Sequence, residues 1–169
     1  MDALSRLNAL SDAALREELR RCCAASRFVE RLAGQRPFRD PAQLLAAADA
    51  ALHELQPEDW RAAFAQHPRI GDKTALRARF TSTAAWATQE QAGTVGASAD
   101  LLEALAEGNR AYETRFGYIF IVCASGKGAA EMLGLLEERL RHEPEAELRI
   151  AAAEQAKITR LRLQKLLSS

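Results

Sequence analysis

What most constrains this chain is its punctuation. Residues that open or close helices recur at short intervals: Ser11, Ser26, the pair Asp40-Pro41, Pro57, Gly117 and Pro144. Between them Ala, Leu, Glu and Arg dominate and β-branched residues are scarce, so the intervening segments are expected to be helices. Leu4, Leu7 and Leu10 mark a short first helix. Ser11 is the expected N-cap of a second, through Leu15, Leu19 and Cys22, and Ser26 of a third, through Phe28, Val29 and Leu32, ending near Gly34. Asp40 followed by Pro41 reads as an N-cap with proline at the first helical position. The Pro57 helix carries Trp60, Phe64 and His67 on one face and should stop at His67, because Pro68 disfavours the α region for the residue before it. A long helix from Ser98 or Asp100 should bury Leu101, Leu105, Asn109, Tyr112 and Phe116, and Gly117 should end it. Two more are expected, about 128–142 (Ala130, Leu133, Leu136 and Leu140 inward) and about 144–167.

One run breaks the helical composition. Tyr118-Ile119-Phe120-Ile121-Val122-Cys123-Ala124 is apolar throughout and closed by Ser125-Gly126. A single strand has nothing to pair with, so this run is expected to cross the core as a buried extended segment. The expectation is an all-α single domain over residues 1–169, a bundle of about eight helices.

Composition narrows the function classes. The 23 basic and 23 acidic residues balance, leaving no footprint for nucleic acid or an anionic membrane. No apolar run approaches a membrane span, and Met1-Asp2-Ala3-Leu4 lacks the layout of a signal peptide. Cys22, Cys23 and Cys123 are odd in number and have no metal-ligand spacing, which suits reduced thiols in a cytoplasm. His53 and His142 are expected on solvated faces, so no metal is expected. A homodimer is compatible with this pattern, which does not set oligomeric state.

Three groups stand out chemically. His67 sits at the end of its helix, where the negative end of the helix dipole favours a protonated ring by about 0.3–1 kcal/mol. Such an imidazole suits general acid–base work, although a core histidine before an ordinary Pro-Gly loop has the same pattern. On the last helix, the apolar stripe of Leu148, Ala151, Ile158, Leu161 and Leu166 includes Arg162. A buried arginine needs an anionic partner, either a protein carboxylate or a ligand's. Glu90 lies in an irregular stretch from Gly71 to about Ala97, where long loops are often functional but a carboxylate is usually just solvated.

Four stretches together resemble one family. His67-Pro68-Arg69-Ile70-Gly71-Asp72-Lys73, Glu90-Gln91-Ala92-Gly93, the run Arg115–Ala124 and Lys157-Ile158-Thr159-Arg160-Leu161-Arg162-Leu163 occur in order along the chain. They look like the signatures of the 2-oxo-4-hydroxy-4-carboxy-5-ureidoimidazoline (OHCU) decarboxylases of urate breakdown, and the likeness extends from about Asp12 to Leu167. The resemblance implies His67, Glu90 and Arg162 as catalytic residues. It also implies a substrate site lined by Pro68, by Ala87, Thr88, Gln89 and Gln91, and by the backbone of Phe120, Ile121, Val122, Cys123 and Ala124. Two positions depart from the family pattern. Ala87 stands where a serine is common, with Thr88 beside it, and Ile119 stands where proline is usual.

The activity so implied is cofactor-independent loss of carbon dioxide from a small ring substrate to give (S)-allantoin. The alternative is a helical interaction module without chemistry, in which His67, Glu90 and Arg162 form a structural polar cluster. Such a module should expose an apolar groove, whereas every apolar stripe in this chain is accounted for by core.

Overall fold

The computed structural model describes residues 1–67 and 95–169, with side chains from residue 99 in the second stretch. Eight α-helices are present among the described residues: α1 Ala3–Ala9, α2 Asp12–Cys22, α3 Ser26–Ala33, α4 Pro41–His53, α5 Pro57–Ala65, α6 Val95–Phe116, α7 Ala129–Arg139 and α8 Pro144–Ser168. The all-α expectation holds. Two compact units are formed, one from Met1–Gln66 with Leu148–Ser169 and the other from His67–Glu147.

In the first unit the helix starts follow capping chemistry. The Ser11 side chain accepts the Ala14 N–H, and Asp40 accepts the Gln43 N–H at 2.7 Å with Pro41 at the first helical position. Ser26, expected to cap α3, is instead its first residue; Ala25 occupies the cap and makes no side-chain bond. At α5, Asp59 reaches back 2.8 Å to the Gln56 N–H, closing a capping box that had not been anticipated. α2 packs on α3 and α3 on α4, burying Leu15, Leu19, Phe28, Leu32 and Leu44 almost completely. The Asn8 side chain pins the turn before α4, accepting the Phe38 N–H at 2.9 Å and donating to its carbonyl at 2.8 Å.

α5 ends at Ala65 with Gln66 as its cap, two residues short of the expected stop at His67. The Gln66 N–H turns back to the Ala63 and Phe64 carbonyls, tightening the last turn.

In the second unit α6 packs on α7. Its first residue is Val95, earlier than the expected Ser98 or Asp100. Leu102, Leu105, Ala106 and Tyr112 form its buried line. The close approach is made at Gly108, where a Cβ would lie 2.6 Å from Leu136 Cδ2. Gly117 ends α6 with φ +82°, a left-handed conformation suited to glycine, and its N–H bonds the Glu113 carbonyl at 2.8 Å. The expected unpaired segment follows. Residues 119–124 have no regular secondary structure, and Tyr118, Ile121, Val122 and Cys123 are buried. Gly126, φ +73°, turns the chain toward α7.

The inward faces of the last two helices differ from the expected ones. α7 buries Met132, Leu136 and Arg139, while Ala130 is exposed. On α8 the fully buried line is Glu147, Ala151, Gln155, Thr159 and Leu163, and Leu161 is 43% exposed. Three of those five residues are polar, so a wheel weighted by apolar residues rotates away from the true face.

Candidate active site

The expected site residues fall into three groups. Pro68, Ala87, Thr88, Gln89, Glu90 and Gln91 lie outside the described residues. His67, at the start of the second unit, is half-buried and lies one residue past the α5 cap. Arg162, on the first unit's part of α8, is exposed, which overturns the expectation that it sits within the buried stripe. Its neighbour Leu163 takes the inward position, about 100° away around the helix. One Arg162 guanidinium N–H donates to the Arg21 carbonyl at 3.2 Å; a guanidinium carries five such donors. Burial, not a nearby charge, governs the two cysteines close to it. It pushes the Cys22 thiol up to about 11 and raises Cys23 as well, with the Arg162 charge opposing both shifts. Both shifts work against the thiolate form that a nucleophilic cysteine needs.

The third group, the expected substrate-lining segment Phe120–Ala124, lies wholly within the described residues, and charged side chains hold it. Arg139 Nη1 donates to the Ile121 carbonyl at 2.5 Å. Lys127 Nζ donates to the Cys123 carbonyl at 2.8 Å. The Arg139 guanidinium also lies over the Phe120 ring, 4.6 Å from its centroid. Neighbouring side chains therefore satisfy part of the buried backbone of this segment, as buried polar groups require.

Arg139 is itself only 4% exposed and is paired with the fully buried Glu147. Its Nε and Nη2 lie 2.7 and 2.6 Å from Glu147 Oε1, and the Tyr112 hydroxyl donates to the same oxygen at 2.5 Å. His142 Nδ1 is 3.0 Å from Oε2. Burial, with the Glu147 carboxylate beside it, pushes the Tyr112 hydroxyl far above its ordinary value, so it stays a donor. The Tyr112 ring packs edge-on to Phe120 at 5.2 Å and to Tyr118 at 5.9 Å.

Sequence reasoning missed this cluster and misplaced one member. His142 is engaged at both ends, its ring by Glu147 and its carbonyl by an Arg115 N–H at 2.7 Å, instead of standing on a solvated face. The available signal was spacing: Arg139 falls three residues after Leu136 and seven after Met132, and Glu147 four before Ala151, each continuing a buried line. Cys123 is buried as a small apolar group would be. Among the described residues no group of three or more His, Cys, Asp or Glu is arranged to hold a metal ion. No helix among them is long and apolar enough to cross a membrane.

Among the described residues, then, the second unit is helical apart from one largely buried non-helical segment, two of whose carbonyls are held by a buried arginine and a half-buried lysine. Comparison with known proteins is more specific. The family model for OHCU decarboxylase matches residues 8–164. The chain belongs to the OHCU decarboxylase family. The uric acid degradation bifunctional protein TTL of Arabidopsis thaliana is 37% identical over 152 residues, 90% of this chain, which spans just under half (47%) of that longer protein. The 2-oxo-4-hydroxy-4-carboxy-5-ureidoimidazoline decarboxylase of Amia calva is 31% identical over 129 residues, 76% of this chain and 73% of the relative. Among solved structures, an OHCU decarboxylase determined in the presence of (S)-allantoin superimposes with a TM-score of 0.73 at 36% identity, covering 90% of this chain and 99% of the other.

Proposed function

We propose that this chain decarboxylates 2-oxo-4-hydroxy-4-carboxy-5-ureidoimidazoline to (S)-allantoin and carbon dioxide, in urate breakdown, without a cofactor. The observation that carries the reading is the extent of the family match. It runs through both compact units, from residue 8 to 164, so residues 1–169 are read as one catalytic domain. The likeness to a structure obtained with (S)-allantoin supports the same substrate class.

The substrate carries its carboxylate beside a hydroxyl on an imine-containing ring. Loss of carbon dioxide leaves electron density that the ring delocalises, so the protein must orient the scissile bond, exclude water and move protons on one face. His67 is assigned the acid–base role, contacting that hydroxyl and delivering the proton, a transfer worth roughly 10²–10⁴-fold. Glu90 orients the ring or ureido N–H groups and repels the carboxylate toward its uncharged product. Arg162 binds a polar edge of the substrate and balances Glu90; its exposure, with one N–H on a backbone carbonyl, leaves it able to meet a ligand. Pro68, Ala87, Thr88, Gln89 and Gln91 are assigned to substrate contact by the resemblance, with Thr88 beside the position where the family commonly carries serine. The reading includes a cytoplasmic location, supported by the three free cysteines and the balanced charge. It also includes a homodimer as the form to be checked by light scattering.

The test follows the decay of freshly generated substrate by optical activity, because the uncatalysed reaction gives racemic allantoin. Wild-type protein should yield optically active (S)-allantoin. His67→Asn keeps a polar side chain of similar reach but loses the ionisable nitrogen, so the rate should fall at least about 10²-fold with allantoin binding retained. Glu90→Gln should also lose activity, since it keeps the shape and removes the charge. Wild-type protein giving only racemate at the background rate would sink the enzyme reading in favour of the interaction module.

A further inference from the structure

We infer that Arg139 and Lys127 are positioning residues of the proposed active site, gripping the Ile121 and Cys123 carbonyls so that the Val122 and Ala124 N–H groups face the opposite way as fixed, strengthened donors. This rests on the reading that the Phe120–Ala124 backbone meets substrate.

The only cis bond among the described residues is Arg36–Pro37, so the units joining Ile121 to Val122 and Cys123 to Ala124 are trans. In a trans unit the C=O and N–H point in opposite directions. Arg139 donates to the first carbonyl at 2.5 Å and Lys127 to the second at 2.8 Å. Both partners are cationic, and charge-assisted bonds are the stronger kind. A cation on the carbonyl draws electron density through the planar unit and makes its N–H a better donor, the cooperative polarisation seen in hydrogen-bond chains. The two polarised peptides lie two residues apart in sequence, so the segment offers two such donors to a ligand with more than one acceptor. A ring bearing carbonyl and carboxylate oxygens has that character.

The grip is itself held in place. Arg139 cannot swing, because Glu147 Oε1 takes its Nε and Nη2 and the Phe120 ring lies under the guanidinium. Glu147 in turn is held by Tyr112 and His142. Lys127 is held by its own turn, its N–H bonding the Ala124 carbonyl at 3.1 Å. Ordered donors of this kind need no reorganisation when ligand arrives.

The test separates positioning from mere support of the fold. Lys127→Met removes one cation from a half-buried loop position. The double variant Arg139→Met with Glu147→Leu removes the other, replacing a buried ion pair with apolar groups, an exchange often neutral for stability. Each is assayed for KM, kcat, thermal midpoint and (S)-allantoin affinity by calorimetry. KM and the allantoin dissociation constant should rise about three- to tenfold in each, the equivalent of weakening one hydrogen bond, with a smaller change in kcat. Lys127→Arg should restore both. A purely structural role would move the thermal midpoint and the fraction of active protein, leaving KM and affinity alone. Variants that melt like wild type with both constants within about twofold of it overturn the inference, and a rise in only one of them overturns the pairing. If the double variant does not fold, Lys127→Met with its Lys127→Arg counterpart decides. Wild-type protein that neither turns over substrate nor binds allantoin removes the proposed function itself, whereas an active wild type with indifferent variants removes only this inference.

Discussion

Glu147 is fully buried among several donors, and its partners decide what substitution costs. Three donor groups converge on Oε1 and a fourth lies against Oε2. Glu147→Leu alone would strand the Arg139 guanidinium, only 4% exposed, without its counter-charge. Breaking a buried pair from one side costs about 3–5 kcal/mol. The single variant should therefore show a large drop in its urea midpoint, and adding Arg139→Met should recover most of it. His142→Ala belongs to the same network. It removes a donor to a charged group, worth about 1.5 kcal/mol at the lower end because the histidine side chain is 30% exposed. Arg160 gives the contrast. Its pair with Asp49 is 2.6 Å long, but the two side chains are 44% and 55% exposed. Arg160→Ala should cost no more than about 1 kcal/mol and leave turnover unchanged; a loss of turnover in folded protein would mean that α8 is wrongly phased.

At the scale of the element, capping distinguishes two serine-or-aspartate starts that look alike in sequence. Asp40 bonds the Gln43 N–H at 2.7 Å, whereas Ser26 is already inside α3 and caps nothing. Asp40→Ala should thus destabilise by about 1 kcal/mol, and Ser26→Ala, which replaces a weaker helix former with the best one, should be neutral or slightly stabilising. In Gly108→Ala the added Cβ would lie 2.6 Å from Leu136 Cδ2, so that buried side chain must shift, a cost of about 1–3 kcal/mol offset by up to about 1 kcal/mol of helix propensity; thermal melting should show a small net loss. Helix existence, the Ser11 and Asp40 caps, the Gly117 and Gly126 turns and the buried segment between them were legible, because each depends on local backbone preference. The inward faces of α7 and α8 were not. Their buried lines contain Arg139, Glu147, Gln155 and Thr159, and hydrophobic periodicity has no way to count a polar residue as core. Gln155 and Thr159 supply their own satisfaction: the Gln155 amide donates to the Thr159 hydroxyl at 3.1 Å, and that hydroxyl donates back to the Gln155 carbonyl at 2.9 Å. The proposed roles of His67 and Glu90 rest on family likeness, since a histidine before proline or a loop glutamate has many ordinary uses, and the buried stripe that had also pointed to Arg162 lies elsewhere on α8.

For the whole molecule, the three cysteines offer a probe of integrity. All are free and buried, in both compact units. A thiol reagent at pH 8 should react slowly with native protein and then titrate three thiols on denaturation, and rapid reaction of native protein would contradict that burial. The buried pair also carries a consequence for descent. A lineage that loses Arg139 or Glu147 singly passes through a poorly folded ancestor, while one that exchanges both lands on a sound fold. Positions 139 and 147 should accordingly be inherited together among relatives, kept as a pair or abandoned as a pair. A branch that keeps the carboxylate with an apolar residue at 139 should carry a compensating cation elsewhere in the same cluster.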